Sequence, residues 1–394
     1  MGRALRGRWL AVAASALAAG VAGCNLVTGS SDLVLGSDGE GAGSGTGGSG
    51  NTGTGGTGNT GTGGTGNNGT GGTGQGGQAP GCPPCGANEH CESSTLSCVC
   101  DPGFLDQGGV CTPAPVGDPT THTQQEVCDK WNTGHVVTSP SPLVTSGADC
   151  DAGSLVQAAL DDTLVRINMF RWLLGLGPTS DDPGLNANAQ LCANLESWWA
   201  WPPGESPHFP PSSSKCYTAT GGATAGQSNI AWGSGHPAQA IDQFMEDGGN
   251  ETTMGHRRWI LNPPLGPVGI GYWEGGGQYG NAECLAVFGS SGGGPNPPWV
   301  AHPNPGYTPL TMAQWTWTFH GSLSGIPSAQ VSMLRVDDNT PLAVTVQTLS
   351  QGYGQDCISW RPSGWTPQAG MTYRVTISGL GGGDVVYDVK PVGC

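Results

Sequence analysis

The stretch Gly255-His256-Arg257-Arg258-Trp259-Ile260-Leu261-Asn262-Pro263, running on into Val268-Gly269-Ile270-Gly271-Tyr272, decides how the rest of the chain is read. It predicts a short helix carrying one histidine and two arginines. Asn262 and Pro263-Pro264 end that helix, because proline has no N–H with which to continue it. The chain turns at Gly266-Pro267 and enters a strand of small and β-branched residues. An imidazole is thereby held on a rigid helix beside a sheet, where it can line a cleft. A lone histidine in such a place is more often a satisfied structural group than a ligand. Its meaning depends on the elements that precede it.

Helical periodicity begins at Ser154. Leu155, Ala159, Ile167, Phe170 and Leu174 form an apolar stripe, and Gly175 fits the C-terminal cap. A second helix opens at Asp181-Asp182-Pro183, an N-cap with proline in the first turn. Its stripe is Leu185, Ala189, Cys192, Ala193 and Glu196, onward to Trp199. A third helix is expected from Pro237 to Glu246.

In this order the motifs resemble the CAP superfamily, also called SCP-like: the cysteine-rich secretory, antigen 5 and pathogenesis-related 1 proteins. The resemblance rests on Asn168-x-x-Arg171-x-x-x-Gly175-Leu176 and on Asp182-x-x-Leu185-x-x-x-Ala189-x-x-x-Ala193. Ser206-Pro207-His208 resembles the family's first histidine motif, and Ser228-Asn229-Ile230-Ala231 stands where the family has Glu-Asn-Ile. Gly255 to Pro263 resembles the bacterial form of the second histidine motif. The match spans residues 150–290, and its weight lies in five motifs in sequence rather than in any one.

The resemblance implies an α+β fold, an α-β-α sandwich with a central open cleft. In the family, two histidines and two carboxylates line that cleft and can hold a divalent metal. His208 and His256 match the histidines, Ser228 replaces one glutamate, and the other carboxylate falls at Glu246 or Asp247, with Glu251 a further candidate. Two neutral imidazoles and one carboxylate can bind a metal such as zinc with one position open, so His208 and His256 are the candidate metal ligands. Losing one acid weakens the charge match and removes a possible general base. The competing reading is a hydrogen-bonded, structural pair of histidines. A Ser-His-Asp set can be nominated from Ser206 or Ser228 with His208 and Asp247, but no Gly-x-Ser-x-Gly elbow and no His-Glu-x-x-His accompanies it. Trp198, Trp199 and Trp201 form an aromatic cluster suited to packing or to holding a lipid or sugar.

Outside this region the chain is modular. Arg3, Arg6 and Arg8 precede an apolar run from Trp9 to Val21, too short to span a bilayer, which needs ~20 apolar residues. Residues 1–23 read as a signal peptide, and Val21-Ala22-Gly23-Cys24 resembles the lipobox of bacterial lipoproteins, which implies lipidation of Cys24 and membrane attachment through lipid alone. Asn25 permits delivery to the outer membrane. Without residues 1–23 the chain holds 10 basic against 29 acidic residues, a balance that disfavours nucleic acid and anionic lipid surfaces. Residues 24–81 are glycine-, threonine- and asparagine-rich with repeats at 51–58 and 59–66. They have no apolar face and read as a tether.

Six cysteines, Cys82, Cys85, Cys91, Cys98, Cys100 and Cys111, staple residues 82–111, a segment too small for its own core. Cys98-Val99-Cys100-Asp101-Pro102-Gly103-Phe104 resembles the end of an EGF-like module, which implies Cys82–Cys91, Cys85–Cys98 and Cys100–Cys111; zinc at Cys82 and Cys85 is the alternative. Seven cysteines follow. Proximity suggests Cys192–Cys216 and Cys357–Cys394, with Cys128–Cys150 leaving Cys284 as a buried free thiol. Residues 120–300 are assigned to the CAP-like domain. Ser290 to Tyr307 reads as a crossing, and residues 305–394, with short alternating runs between turns, as a β-sandwich of immunoglobulin or fibronectin type III kind. The chain is therefore expected to be an exported, surface-anchored protein that binds an extracellular lipid, glycan or protein through the cleft without catalysis. The alternatives are a metal-dependent hydrolase or peptidase, and a structural adhesion protein.

Overall fold

The computed structural model describes residues 89–92, 97–100, 104–106, 111–113, 117–198, 205–277, 280–289, 292 and 297–394. The signal segment, Cys24, the tether, Trp199 and Trp201 lie outside them. In the cysteine-rich module the backbone forms two antiparallel hairpins, β1 (Glu89–Glu92) with β2 (Ser97–Cys100) and β3 (Phe104–Asp106) with β4 (Cys111–Pro113). Cys98 is in a disulfide; the expected partners of all three pairings in this module lie outside the described side chains.

Helix α1 (Gln124–Gly134) opens on a capping box. Thr123 Oγ1 accepts from the Glu126 N–H, and the Glu126 carboxylate accepts from the Thr123 N–H at 2.7 Å. Its stripe is weakly apolar, which is why periodicity alone does not announce it. A short hairpin, β5 (Leu143–Val144) and β6 (Ser154–Leu155), then leads into α2 (Gln157–Leu173). Helix α3 (Pro183–Ser197) starts where the sequence places it, with the Asp182 carboxylate accepting from the Leu185 N–H at 2.9 Å. Helix α4 (Ala219–Ala225) carries two glycines and two threonines, which offset its alanines, and is capped by Thr218.

Strand β7 (Ser228–Trp232), helices α5 (Pro237–Glu246) and α6 (Gly255–Ile260), and strands β8 (Gly269–Trp273) and β9 (Ala282–Ala286) follow. The three strands form an antiparallel sheet ordered β7-β9-β8. Its residues alternate between two cores. Ile230, Cys284 and Ala282 face Ala189, Cys192 and Ala193 of α3. Ala231, Ile270 and Leu285 face α2 and α5 through Ile167, Phe170, Ile241 and Phe244. This is the α-β-α layering the resemblance implies. Gly271 is required by the close approach of α3: a Cβ there would lie 2.1 Å from the Ala189 carbonyl carbon.

The remaining elements are β10 (Trp299–His302), β11 (Gly306–Pro309), α7 (Leu310–Gln314), β12 (Trp317–Gly321), β13 (Gln330–Arg335), β14 (Thr340–Leu342), β15 (Val344–Thr348), β16 (Asp356–Pro362), β17 (Tyr373–Ser378) and β18 (Val385–Val392). They make a four-stranded sheet, β10-β12-β16-β15, and a five-stranded one, β11-β18-β17-β13-β14, antiparallel except for β11 on β18. Trp317, Phe319, Ile358 and Trp360 of the first sheet meet Met333, Tyr373, Val375, Ile377 and Val389 of the second in one core. The two sheets are therefore a sandwich. The stretch read as a crossing supplies an edge strand to each sheet.

The disulfides differ from the expected ones. Cys192 pairs with Cys284, not Cys216, because β9 is the central strand and lies directly beneath α3. Cys216 pairs with Cys150 across the loops beside α3. Cys394 pairs with Cys128, not Cys357: α1 packs on β11, β11 pairs with β18, and the last residues leave β18 beside α1. Cys357 lies in the opposite sheet as a buried free thiol against Met254 and Leu349, its pKa pushed up to about 11 by burial. Nearness in sequence misled here because the partners are brought together by sheet order.

The junction between the sandwich and the CAP-like layers is continuous. Val300, Met312, Tyr353 and Val392 belong to the same apolar cluster as α2, α5 and α6. Arg257 is fully buried and donates to the carbonyls of Met245, Glu246 and Thr316. Arg258 donates to Thr253, Ser350 and Gln355 carbonyls. The two arginines of the opening motif thus tie α6 to α5 on one side and to the sandwich on the other. Buried guanidinium groups are tolerated because nearly every donor finds a carbonyl.

Candidate functional site

Helix α5 ends at Asp247, which sits in the left-handed region at φ 56° and acts as the cap. Aspartate tolerates that conformation better than most non-glycine residues. The turn swings its carboxylate back toward α6. His256 Nδ1 lies 2.9 Å from Asp247 Oδ1. The same carboxylate accepts from the Arg257 N–H at 3.3 Å and from Asn250 Nδ2 at 3.1 Å. Asp247 is fully buried and His256 is 12 % exposed. With a carboxylate at Nδ1, the ring donates there and presents Nε2 outward. Phe244 packs on the ring at 5.2 Å between centroids.

One further contact holds His256 itself, and others hold the elements around it. Asn229 Nδ2, on β7, donates to the His256 carbonyl at 3.0 Å. Arg171 of α2 donates to the carbonyls of Ile260, Asn262 and Pro263, filling the unpaired end of α6. Asn168 pairs with the Thr179 backbone in both directions at 2.8 Å. Two motif residues that carry the family resemblance, Asn168 and Arg171, therefore act on backbone, not on a ligand.

His208 comes from the other side, on the loop before α4. Its Nδ1 lies 2.9 Å from the Ala225 carbonyl and donates to it, which again leaves Nε2 outward. Burial pushes its pKa down to about 4, against the pull of that carbonyl, and the nearby His256 lowers it further. The ring is neutral at ordinary pH. Neither Nε2 has a protein hydrogen-bond partner among the described residues.

The other nominated residues stand apart from this pair. Ser228 is buried and its hydroxyl donates to the Thr224 carbonyl at 2.8 Å, so it does not face His208 as a nucleophile. Ser206 accepts from the His208 N–H at 3.3 Å, a turn contact. Glu246 is exposed, and only its backbone carbonyl joins the network. Glu251 pairs with Arg361 at 3.1 Å. Trp198 is pinned by Lys215, 3.3 Å above its ring, and by Asp149. Sequence reasoning passed over Asn229. Its signal was present in Ser228-Asn229-Ile230, where attention went to the position that departs from the family rather than to the one that keeps it.

Of two buried acids, the sequence places Glu196 in the stripe of α3, and Glu283 went unremarked. Glu196 and Glu283 are fully buried, and neither carboxyl has a partner among the described residues. Burial raises both pKa values well above the ordinary carboxylate range, so both are held neutral. Cys284 points to α3, so Glu283 points to the opposite face, in register with Tyr272 and Ala231.

A three-layer α-β-α unit with two outward-facing imidazoles over its sheet defines the class to which this part of the chain belongs. Residues 164–288 match the family model of CAP, the cysteine-rich secretory protein family, and form a CAP domain. No curated protein matches the chain, and no solved structure does. The CAP domain and the disulfides suggest an extracellular protein. No helix among the described residues is long and apolar enough to cross a membrane.

Among the described residues no group of three or more histidine, cysteine, aspartate or glutamate side chains is placed to hold an ion. Asp247 stands behind His256, engaged at Nδ1, where it orients the ring. Ser228 has no carboxylate to offer. A divalent metal such as zinc would meet two nitrogens, short of the three protein ligands of a catalytic zinc site.

Proposed function

We propose that the protein is a surface-attached extracellular binding protein whose CAP cleft holds an apolar or amphipathic ligand, a lipid in the first instance, without turning it over. The observation that carries this reading is the pairing of two preset imidazoles, each with Nδ1 committed and Nε2 free, with no activated nucleophile beside them. The neutral His208 ring can accept at Nε2 from the hydroxyl or protonated head of an amphiphile. Phe209, next to His208 in sequence, is 61 % exposed and offers an apolar side chain to a ligand. The apolar body of a lipid supplies the affinity, and the polar contacts fix its orientation. Attachment through a lipidated Cys24 and a flexible tether would keep the cleft near a membrane, the source of such ligands.

The test is mass spectrometry of organic extracts from protein purified without detergent, comparing the native chain with the His208→Ala/His256→Ala double variant. A lipid recovered near one equivalent from the native protein, and reduced at least tenfold in the variant, is the expected result. Equal recovery from both, or none from either, removes the cleft as a lipid site. Metal analysis of the same preparations addresses the alternative, a metal-dependent hydrolase: a full equivalent of zinc retained only by the native protein would favour it.

A further inference from the structure

The four edges of the sandwich differ in how they are protected. An edge strand has backbone N–H and C=O groups with no neighbour, and natural proteins cover or block them. Strand β10 is buried from Val300 to His302. Strand β11 lies against α1 and ends on Pro309. Strand β14 is three residues long, with Pro341 at its centre. Strand β15, Val344-Thr345-Val346-Gln347-Thr348, has five residues, no proline and no charge. Thr345, Val346 and Thr348 are exposed. We infer that this edge is a self-association surface, on which β15 of a second copy of the chain pairs antiparallel about a two-fold axis at Val346.

The register against β16 fixes which groups point outward. Val344 stands opposite Pro362, Val346 opposite Trp360 and Thr348 opposite Ile358. One residue earlier, Ser363 donates its N–H to the Ala343 carbonyl at 3.0 Å. Residues 343 and 363 are opposite each other in the same register, so they are a hydrogen-bonded pair. Such pairs alternate along an antiparallel ladder. Thr345 and Gln347 therefore bond to β16, and Val344, Val346 and Thr348 turn their N–H and C=O groups away from it. None of those outward groups has a hydrogen-bond partner among the described residues.

A two-fold copy meets the same pattern in reverse. With Val346 opposite its own counterpart, Val344 falls opposite Thr348, and all three outward residues form hydrogen-bonded pairs at once. A closed, isologous contact results. The side chains agree with it. Val344 and Val346 share a face with Ile358 and Trp360, which is turned to the sandwich core. Val346 nevertheless stays 41 % exposed, at the end where the opposite sheet stops on the short β14. The counterpart valine would cover it. No charge lies on the strand, so pairing sets no like charges opposite each other. A charged peptide would find no counter-charge there, and the nearby Arg361 is already paired with Glu251 at 3.1 Å. The net charge of −16 opposes association at long range, which physiological salt screens beyond about 8 Å.

The experiment is sedimentation velocity on the full chain from about 1 to about 200 µM, a range that brackets the micromolar affinity of a small interface. A monomer–dimer equilibrium is expected. Val346→Pro removes one outward N–H and leaves the ladder to β16 intact. Val346→Lys sets two ammonium groups against each other across the axis. Each should weaken the dimer at least roughly tenfold, and circular dichroism confirms that each is folded. Hydrogen exchange on the native chain locates the contact without any substitution. The amides of Val344, Val346 and Thr348 should slow from the dilute to the concentrated end of the range, and those of Thr345 and Gln347, already bonded to β16, should change little. The inference is overturned if the native chain stays monomeric throughout, if both variants dimerise as the native chain does, or if the three outward amides exchange equally fast at both ends.

Discussion

The two histidines of the cleft are held in opposite ways. His256 stands on a helix braced from three directions: Asp247 at its ring, Asn229 at its carbonyl, and Arg171, Arg257 and Arg258 around its turn. His208 rides on a proline-flanked loop and is fixed at its ring by one carbonyl, that of Ala225. The loop is moored further along, by Cys150–Cys216 and by Lys215 on Asp149 at 2.7 Å. His256 therefore stands on a wall braced from several sides, and His208 on a loop moored beyond it at Lys215 and Cys216. Such an arrangement lets a binding site keep one reference point while adapting to the bulk of a ligand.

That contrast can be broken most severely at Arg257. Arg257→Ala leaves three buried carbonyls unpaired and a cavity at the junction, and should cost about 3–5 kcal/mol. Denaturant midpoints measure it, and a loss below ~1 kcal/mol would mean that α6 does not depend on the sandwich. Opening the other wall is next. Cys150→Ser with Cys216→Ser removes a cross-link spanning 66 residues and should cost about 2–4 kcal/mol. Here hydrogen exchange should rise around His208 and stay unchanged around His256.

The buried acids give a pH test of the layers between the walls. A carboxyl whose folded pKa is raised contributes stability that is fully present below its unfolded value, ~4.3, and is lost as pH rises through the folded value. Glu196→Gln and Glu283→Gln should each raise stability at pH 8 by on the order of 1–2 kcal/mol and change little at pH 4.5. Thermal melts at both pH values check the sign. An equal effect at both pH values would show that neither acid is held neutral.

The smaller effects sharpen the comparison. Asp247→Asn keeps a side chain that tolerates the left-handed backbone but removes the charge behind His256; about 1 kcal/mol should be lost. At His208 the folded pKa, about 4, lies below the ordinary value near 6.5, so its contribution is present above pH ~6.5 and is lost as pH falls through 4. Proton NMR of the His208 ring should show it neutral down to about pH 5. A ring already half protonated at pH 6.5 would place it in open solvent.

Much of the CAP domain was legible because its signals are local. The Asp182 cap, the end of α6 before Pro263 and the full extent of α5 were fixed by short-range chemistry that does not depend on distant residues. The two histidines were legible as a pair only through the order of motifs. Helix α4 escaped because Ala-Thr-Gly-Gly-Ala-Thr-Ala has low helix propensity, and packing against α3 outweighs it. Strands β10 and β11 escaped because a glycine- and proline-rich run gives no alternation. Choosing Asp247 over Glu246 required the left-handed turn that ends α5, which is a backbone event and not a pattern.

By itself the sequence determined the cap of α3, the extent of α5, the end of α6 before Pro263 and the strand β8 that follows, since all of these rest on interactions between near neighbours. Only the tertiary structure decided the disulfide partners, the carboxylate that serves His256, and the use of Arg171, Arg257 and Arg258 as bridges to backbone carbonyls. Each of those depends on which strand lies at the centre of a sheet and which surface faces it, and a chain 394 residues long can satisfy its local preferences in many arrangements that differ in just that respect.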